Sequence, residues 1–215
     1  MKFTSKPGIL VVVTAVSGAG QDSVMGGILN DQKIKKLNFK KVVTCADRLK
    51  RPNEIDGVDY HFVTYNELLK MDRENELVEP ITTFGTTHKA TSKKEIERFL
   101  NGENLVWRID LSRASEIASG HFFKKVFPEN AEVLQKHTIV LFVTAPKNEI
   151  EKRRKDRDGE RYDPKEYLAR DNSIKRYIKS LEKIATPINN SDGKLKEAID
   201  LAAKEIIDLN EKISK

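Results

Sequence analysis

The sequence predicts an α/β protein in which a parallel sheet is flanked by helices. Three observations carry this expectation. The apolar runs Ile9–Val16, Leu105–Ile109 and Thr138–Val143 are rich in Val, Ile and Leu and have the length of buried strands. Helical or mixed sequence separates them, the alternation that right-handed crossovers between parallel strands require. The first run leads straight into a glycine-rich turn, SGAGQDS (Ser17–Ser23), with helix-compatible sequence behind it.

Taken in order, Ile9–Val16 is the first strand and Asp22–Leu29 the helix after the glycine turn. Lys41–Thr44 reads as a fourth strand. Residues 45–90 have few long apolar runs and many Thr, Asp, Glu and Arg, so they read as a small insertion carrying a binding surface. Thr91–Leu100 is a helix with Thr91 or Ser92 as its N-cap. The section Ser112–His137 reads as an extension. Its stretch GHFFKKVFPEN sets three phenylalanines among lysines, which leaves packing and a homodimer contact both open. Asn148–Asp156 and Pro164–Ile184 are strongly basic helices. Lys194–Ile213 closes the fold, with Leu195, Ile199, Ala202, Ile206 and Leu209 at helical spacing.

The 215 residues suit one domain with a sizeable core. A hydrophobic share of 38% beside 33% charged residues implies a globular chain with a highly charged surface. The net charge of +6 asks for an anionic partner, and nucleotides satisfy it as well as nucleic acid does. No apolar run approaches the roughly 20 residues of a membrane span. The opening MKFTSKPG lacks the apolar core of a signal peptide. A lone cysteine, Cys45, leaves no intramolecular disulfide and fits a cytoplasmic protein, with packing its expected role. His121 and His137 have no partners at metal-ligand spacing.

Gly18 and Gly20 allow the turn to point its amides inward, and the following helix adds the positive end of its dipole. Ser17, Gly18, Ala19, Gly20, Gln21, Asp22 and Ser23 are therefore candidates to hold phosphates. Ser23 is the candidate magnesium-binding hydroxyl. The pattern G-x-x-x-x-G-K-[ST] is broken twice, by Ala15 at its first glycine and Gln21 at its lysine. A glutamine donates hydrogen bonds but supplies no charge to a transferring phosphoryl group. The turn alone also fits a plain strand-to-helix connection.

The next stretch, TCADRLKRPNEIDGVDYHFV (Thr44–Val63), decides the class. It resembles guanylate kinases, whose acceptor segment reads T-T-R-x-P-R-x-G-E-x-x-G-x-D-Y-x-F. The match is close over Arg51–Phe62. Arg48 and Arg51 are three apart and suit forked binding of one phosphate. Tyr60 offers a hydroxyl to the same anion, Glu54 orients an arginine, and Gly57 suits a turn.

The resemblance implies further residues. Thr44 stands where the family touches guanine, and Glu79 where a glutamate accepts from two N–H groups of the base. His88 falls at a phosphate-binding tyrosine. In LVWRID, Asp110 matches the second acid of a D-x-D or E-x-D pair and is a candidate for magnesium or the base pocket. The place of the first acid holds Arg108, a departure from the family and a candidate to replace part of the charge missing at Gln21. In the basic stretch Ile150–Ile178, Arg153, Arg157 and Arg170 match the arginines that close on the donor phosphates. In TPINN, Asn189 is the expected adenine contact.

The resemblance implies a P-loop nucleoside-monophosphate-kinase fold over one domain, 1–215. The core is expected at about 1–40, 96–149 and 173–215, an acceptor-binding part at 41–95 and a lid at 150–172. It implies ATP and GMP or dGMP as substrates, with Mg2+, and no membrane or nucleic-acid partner. Catalytic roles fall on Arg48, Arg153, Arg157, Arg170 and Gln21. The alternative is a related domain without turnover that binds GMP or a phosphorylated ligand.

Overall fold

The computed structural model describes residues 6–214. The chain forms two compact units: 9–39 with 106–214, and 40–105 with the segment ending at Gly8. The first unit opens with β1 (Leu10–Ala15), α1 (Gln21–Asn30) and α2 (Gln32–Lys35). The second holds β2 (Lys40–Lys41), β3 (Cys45–Ala46), β4 (His61–Phe62), α3 (Tyr65–Arg73), β5 (Thr82–Phe84), β6 (Thr87–Ala90) and α4 (Lys93–Leu100). The chain then returns through β7 (Leu105–Arg108), α5 (Leu111–Ala118), α6 (His121–Val126), α7 (Ala131–Lys136) and β8 (Thr138–Thr144). It ends with α8 (Lys147–Asp158), α9 (Pro164–Ile184), β9 (Thr186–Asn189) and α10 (Leu195–Ser214).

In the first unit the strands lie in the order β7–β1–β8–β9. β1 and β8 are parallel, with Leu10 opposite Thr138, and β8 and β9 are parallel, with Leu141 opposite Thr186. Unbroken burial along Leu10–Thr14 fits a strand covered on both faces. Val11, Val13, Ile28, Leu141, Ile188 and Ile206 are among the residues that build its core. Gly27 lets α10 approach α1 closely: a Cβ there would stand 2.1 Å from Ile199 Cδ1. The buried line of α10 is Ala198, Ala202, Ala203 and Ile206. Leu195, expected on that face, is instead exposed at the first position of the helix.

The second unit folds its short strands in the order β4–β3–β6–β5. β3 runs parallel to β4 and antiparallel to β6. Its core is Cys45, Leu68, Leu77 and Ala90. Burial, and next the charge of Glu95, push the Cys45 thiol up to about 11, so it packs and does not attack. The strand expected at Lys41–Thr44 is not one element. β2 stops at Lys41, and the Val43 amide donates to the Glu95 carboxylate at 2.9 Å and not to a strand neighbour. Ser92 caps α4 by accepting from the Glu95 amide. A capping box between Thr64 and Glu67 starts α3.

The extension 112–137 is three helices and a single 3-10 turn, Pro128–Asn130. Phe122 and Phe123 are fully buried, and Phe122 meets Trp107 edge-on at 5.8 Å between centroids. Packing therefore consumes both rings and leaves neither for a partner. Phe122→Ala is expected to cost about 3–5 kcal/mol in urea unfolding, the range for truncating a buried aromatic. A loss below about 1 kcal/mol would contradict this packing.

Candidate active site

The glycine turn is held by side chains from outside it. Gly18 and Gly20 take φ of 90° and 92°, a region open to glycine at little cost. A Cβ on Gly20 would stand 2.2 Å from Asn190 Nδ2. That nitrogen donates to the Ala19 carbonyl at 2.8 Å, and Arg154 Nε donates to the Ser17 carbonyl at 2.8 Å. Gly20 starts α1 with no side-chain cap on the helix amides. The first turn of α1 is thus an uncapped, positively polarised helix end.

Gln21 commits its donor to the backbone. Its Nε2 donates to the Val13 carbonyl at 2.6 Å and the Ile109 carbonyl at 3.3 Å, bridging the ends of two adjacent strands. Ser23 is not the residue that the pattern names. The pattern hydroxyl follows the lysine directly, and with Gln21 at the lysine that place belongs to Asp22. Asp22 Oδ1 lies 3.2 Å from Arg108 Nη1. Ser23 is exposed one residue further along α1.

The basic helices divide their arginines. Arg157 Nη1 donates to Ser17 Oγ at 3.2 Å and is braced by Asp158 and by Tyr167. Arg153 Nη2 donates to the Asn190 carbonyl at 2.9 Å and to Asp192 at 2.6 Å, alongside Ser23 and Gly20 in a cleft of about 210 Å³. Arg170 is exposed on α9. Sequence reasoning missed Arg154, which is 5% exposed, forks onto Asp171 with two bonds of 2.8 Å and lies over the Tyr167 ring. It also chose Asn189, which is exposed and accepts from Ser191, while the buried Asn190 touches the turn. Strand alternation was the available signal: Ile188 and Asn190 point one way and Asn189 the other.

The acceptor segment lies in the second unit. Arg48 forks onto Glu54 at 2.7 and 2.5 Å, and the Arg51 amide donates to the same carboxylate at 2.9 Å. These bonds, Arg48 first, hold the Glu54 carboxyl down at about 2. Arg51 is exposed, with its side chain on the segment's surface. Arg48 also lies 5.1 Å from the centroid of the Tyr60 ring. Lys89 Nζ donates to the Tyr60 hydroxyl at 3.0 Å and lies 4.4 Å from the same centroid. Lys89 is a second residue that sequence reasoning missed; its one signal was a cation next to His88. His88 Nδ1 is 2.6 Å from Asp47 Oδ2, and its ring stacks near Tyr65. Thr44 carries a carbonyl that accepts from the His61 amide at 3.0 Å. Glu79 Oε1 accepts from the Thr91 hydroxyl at 2.6 Å.

Asp110 is at the N-terminus of α5, where Oδ1 accepts from the Ser112 and Arg113 amides. One of its oxygens is thereby committed to the helix cap. Among the described residues no group of three or more His, Cys, Asp or Glu could hold a metal ion. The acidic and hydroxyl side chains at the turn are Ser17, Asp22 and Ser23, and Ser17 Oγ already accepts from Arg157. Such a sparse donor set suits magnesium that arrives on phosphates with its own waters.

Residues 8–188 match the family model described as guanylate kinase. The chain belongs to the guanylate kinase family. It is 29% identical to guanylate kinase 2, chloroplastic/mitochondrial, of Oryza sativa subsp. japonica over 89% of this chain and 61% of that protein. It is 34% identical to the guanylate kinase of Shewanella violacea over 75% of this chain and 69% of that protein. The chain spans about three fifths of the first of these relatives. A crystal structure of guanylate kinase from Anaplasma phagocytophilum superposes with a TM-score of 0.60 at 20% identity, over 98% of this chain and 89% of that one. That likeness shows the fold: a mostly parallel sheet flanked by helices. No described helix is long and apolar enough to cross a membrane.

The Arg48–Glu54 pair predicts a pH dependence. Glu54 has its folded value lowered from 4.5 to about 2, so the pair stabilises the segment above pH 4.5 and that contribution fades as pH falls toward 2. Glu54→Gln is expected to melt earlier than the unaltered chain at pH 7, with the gap closing by about pH 2. An equal gap at both pH values would contradict the pairing.

Proposed function

We propose that this chain is a nucleoside monophosphate kinase that transfers the γ-phosphoryl group of ATP to GMP or dGMP. The observation that carries the reading is the acceptor cluster: Arg48 fixed by Glu54, with the Tyr60 hydroxyl and Lys89 beside it. A guanidinium, an ammonium and a phenol in one place suit a monophosphate dianion. Arg51 adds a cation from the same segment.

In this reading Thr44 and Glu79 recognise the base. A carboxylate that accepts from two N–H groups of one edge selects guanine, and Glu79, whose Oε1 accepts from the Thr91 hydroxyl, supplies that carboxylate. The amides of Gly18–Ser23 receive the donor phosphates. Arg157, beside Ser17, and Arg153 and Arg170 neutralise the oxygens of the transferring group. Asn190, with Asn189 behind it, borders the place of adenine. Magnesium is a part of the ATP substrate; Asp22 and Ser23, with Asp110 as a further candidate, would hold it, and it would neutralise phosphate oxygens. Positioning and charge neutralisation are the whole of the catalysis, since phosphoryl transfer makes little covalent demand on the protein. The reading places the chain in the cytoplasm as an enzyme of small nucleotides.

One observation favours a second reading, a domain that binds GMP or a phosphorylated ligand without turnover. The Gln21 amide carries no charge and is spent on two backbone carbonyls. ADP release with ATP, magnesium and each nucleoside monophosphate separates the two. The kinase reading expects turnover with GMP or dGMP above AMP, CMP and UMP, and a gain of about tenfold or more in kcat for Gln21→Lys. No turnover in either chain, with GMP still bound in calorimetry, would overturn it in favour of the second reading.

A further inference from the structure

The charged groups at the turn are not where a phosphate loop carries them. The lysine place holds Gln21, whose donor is already bound to Val13 and Ile109. The hydroxyl place holds a carboxylate, Asp22. The cation nearest that carboxylate comes from another element: Arg108, at the end of β7, where an acid was expected. Arg108 Nη1 and Asp22 Oδ1 are 3.2 Å apart.

Asp22 creates a difficulty for any polyphosphate. A carboxylate in the first turn of α1 repels the anion that the uncapped amides attract. Arg108 cancels that repulsion only while it is paired, and while paired it is not offered to the phosphates. The pair is open to solvent, with the Arg108 side chain 55% and the Asp22 side chain 69% exposed. Exposed ion pairs are held weakly and exchange partners readily.

We propose that Asp22 and Arg108 are an exchangeable pair that makes this chain select ATP in its magnesium complex. Asp22 turns to the metal that ATP carries, and Arg108, released, turns to the phosphates as the cation that Gln21 does not provide. Each partner gains an opposite charge in the exchange. Metal-free ATP offers a partner to Arg108 and none to Asp22, so it meets an uncompensated carboxylate. The inference rests on the kinase reading, and it assigns Arg108 to phosphate binding and Asp22 to discrimination by the metal.

The test is calorimetric titration of the full chain with ATP, with magnesium and with EDTA, and in parallel with GMP. Asp22→Asn, Arg108→Ala and Arg108→Lys are compared with the unaltered chain. Both side chains are exposed, and thermal melts check that every variant is folded. The unaltered chain is expected to bind the magnesium complex at least about tenfold more tightly than metal-free ATP. Asp22→Asn is expected to tighten metal-free ATP and narrow that ratio to about threefold or less. Arg108→Ala is expected to weaken the magnesium complex about tenfold, with Arg108→Lys recovering most of the loss. GMP affinity stays unchanged throughout. An unaltered ratio in Asp22→Asn, or unaltered affinity for the magnesium complex in Arg108→Ala, overturns the inference alone. Binding of GMP but of neither form of ATP by the unaltered chain overturns the kinase reading and the inference with it.

Discussion

The proposed donor site depends on three side-chain donors that hold the turn between β1 and α1. Arg154 takes the Ser17 carbonyl, Asn190 the Ala19 carbonyl, and Gln21 the Val13 carbonyl. Each bond contributes about 0.5–1.5 kcal/mol net, but their value lies in direction. With those carbonyls engaged, the chain enters α1 through two left-handed glycines and leaves the first helical amides uncapped. A preorganised set of amides binds phosphate without first having to be ordered. Arg154 is the costliest member, because a buried guanidinium needs its charge answered, and Asp171 and the Tyr167 face answer it.

The acceptor half rests on a different device. Here the organising group is an anion, Glu54, which accepts from Arg48 twice and from the Arg51 amide once. A single carboxylate thereby fixes both the side-chain plane of one arginine and the backbone that presents the next. Tyr60 then has two cations near its ring, Arg48 and Lys89. The two units offer opposite chemistry: backbone amides and a helix end in one, side-chain cations held by an acid in the other. In the kinase reading both meet phosphate through groups whose positions are set before the ligand arrives.

Much of this was legible in the residues. Continuous apolar runs declared the buried parallel strands, because a strand covered on both faces needs no polar alternation. The segment Arg51–Phe62 declared the family, because its motif is local in sequence. What was not legible required tertiary partners. Among the arginines of α8, helical spacing favours Arg153 and Arg157 as a pair, yet the one that holds a backbone carbonyl of the turn is Arg154, whose charge is answered by Asp171 on another helix. Lys41–Thr44 has strand composition, but Glu95 claims its amide. Asn189 and Asn190 are chemically identical, and only the alternation of β9 separates them. The position of Asp22 was legible from the pattern itself, since the hydroxyl place is one residue after Gln21.

The most direct measurement of the central claim is an NMR titration of the amide-labelled chain, first with GMP and then with ATP and magnesium. The account predicts that GMP moves the amide signals of the Thr44–Tyr60 segment. It predicts that ATP with magnesium then moves those of Gly18–Ser23 as a separate, saturable event. Movement of the first set with no response from Gly18–Ser23 would contradict it, and would mean that this chain retains the acceptor chemistry of its family without a working donor site.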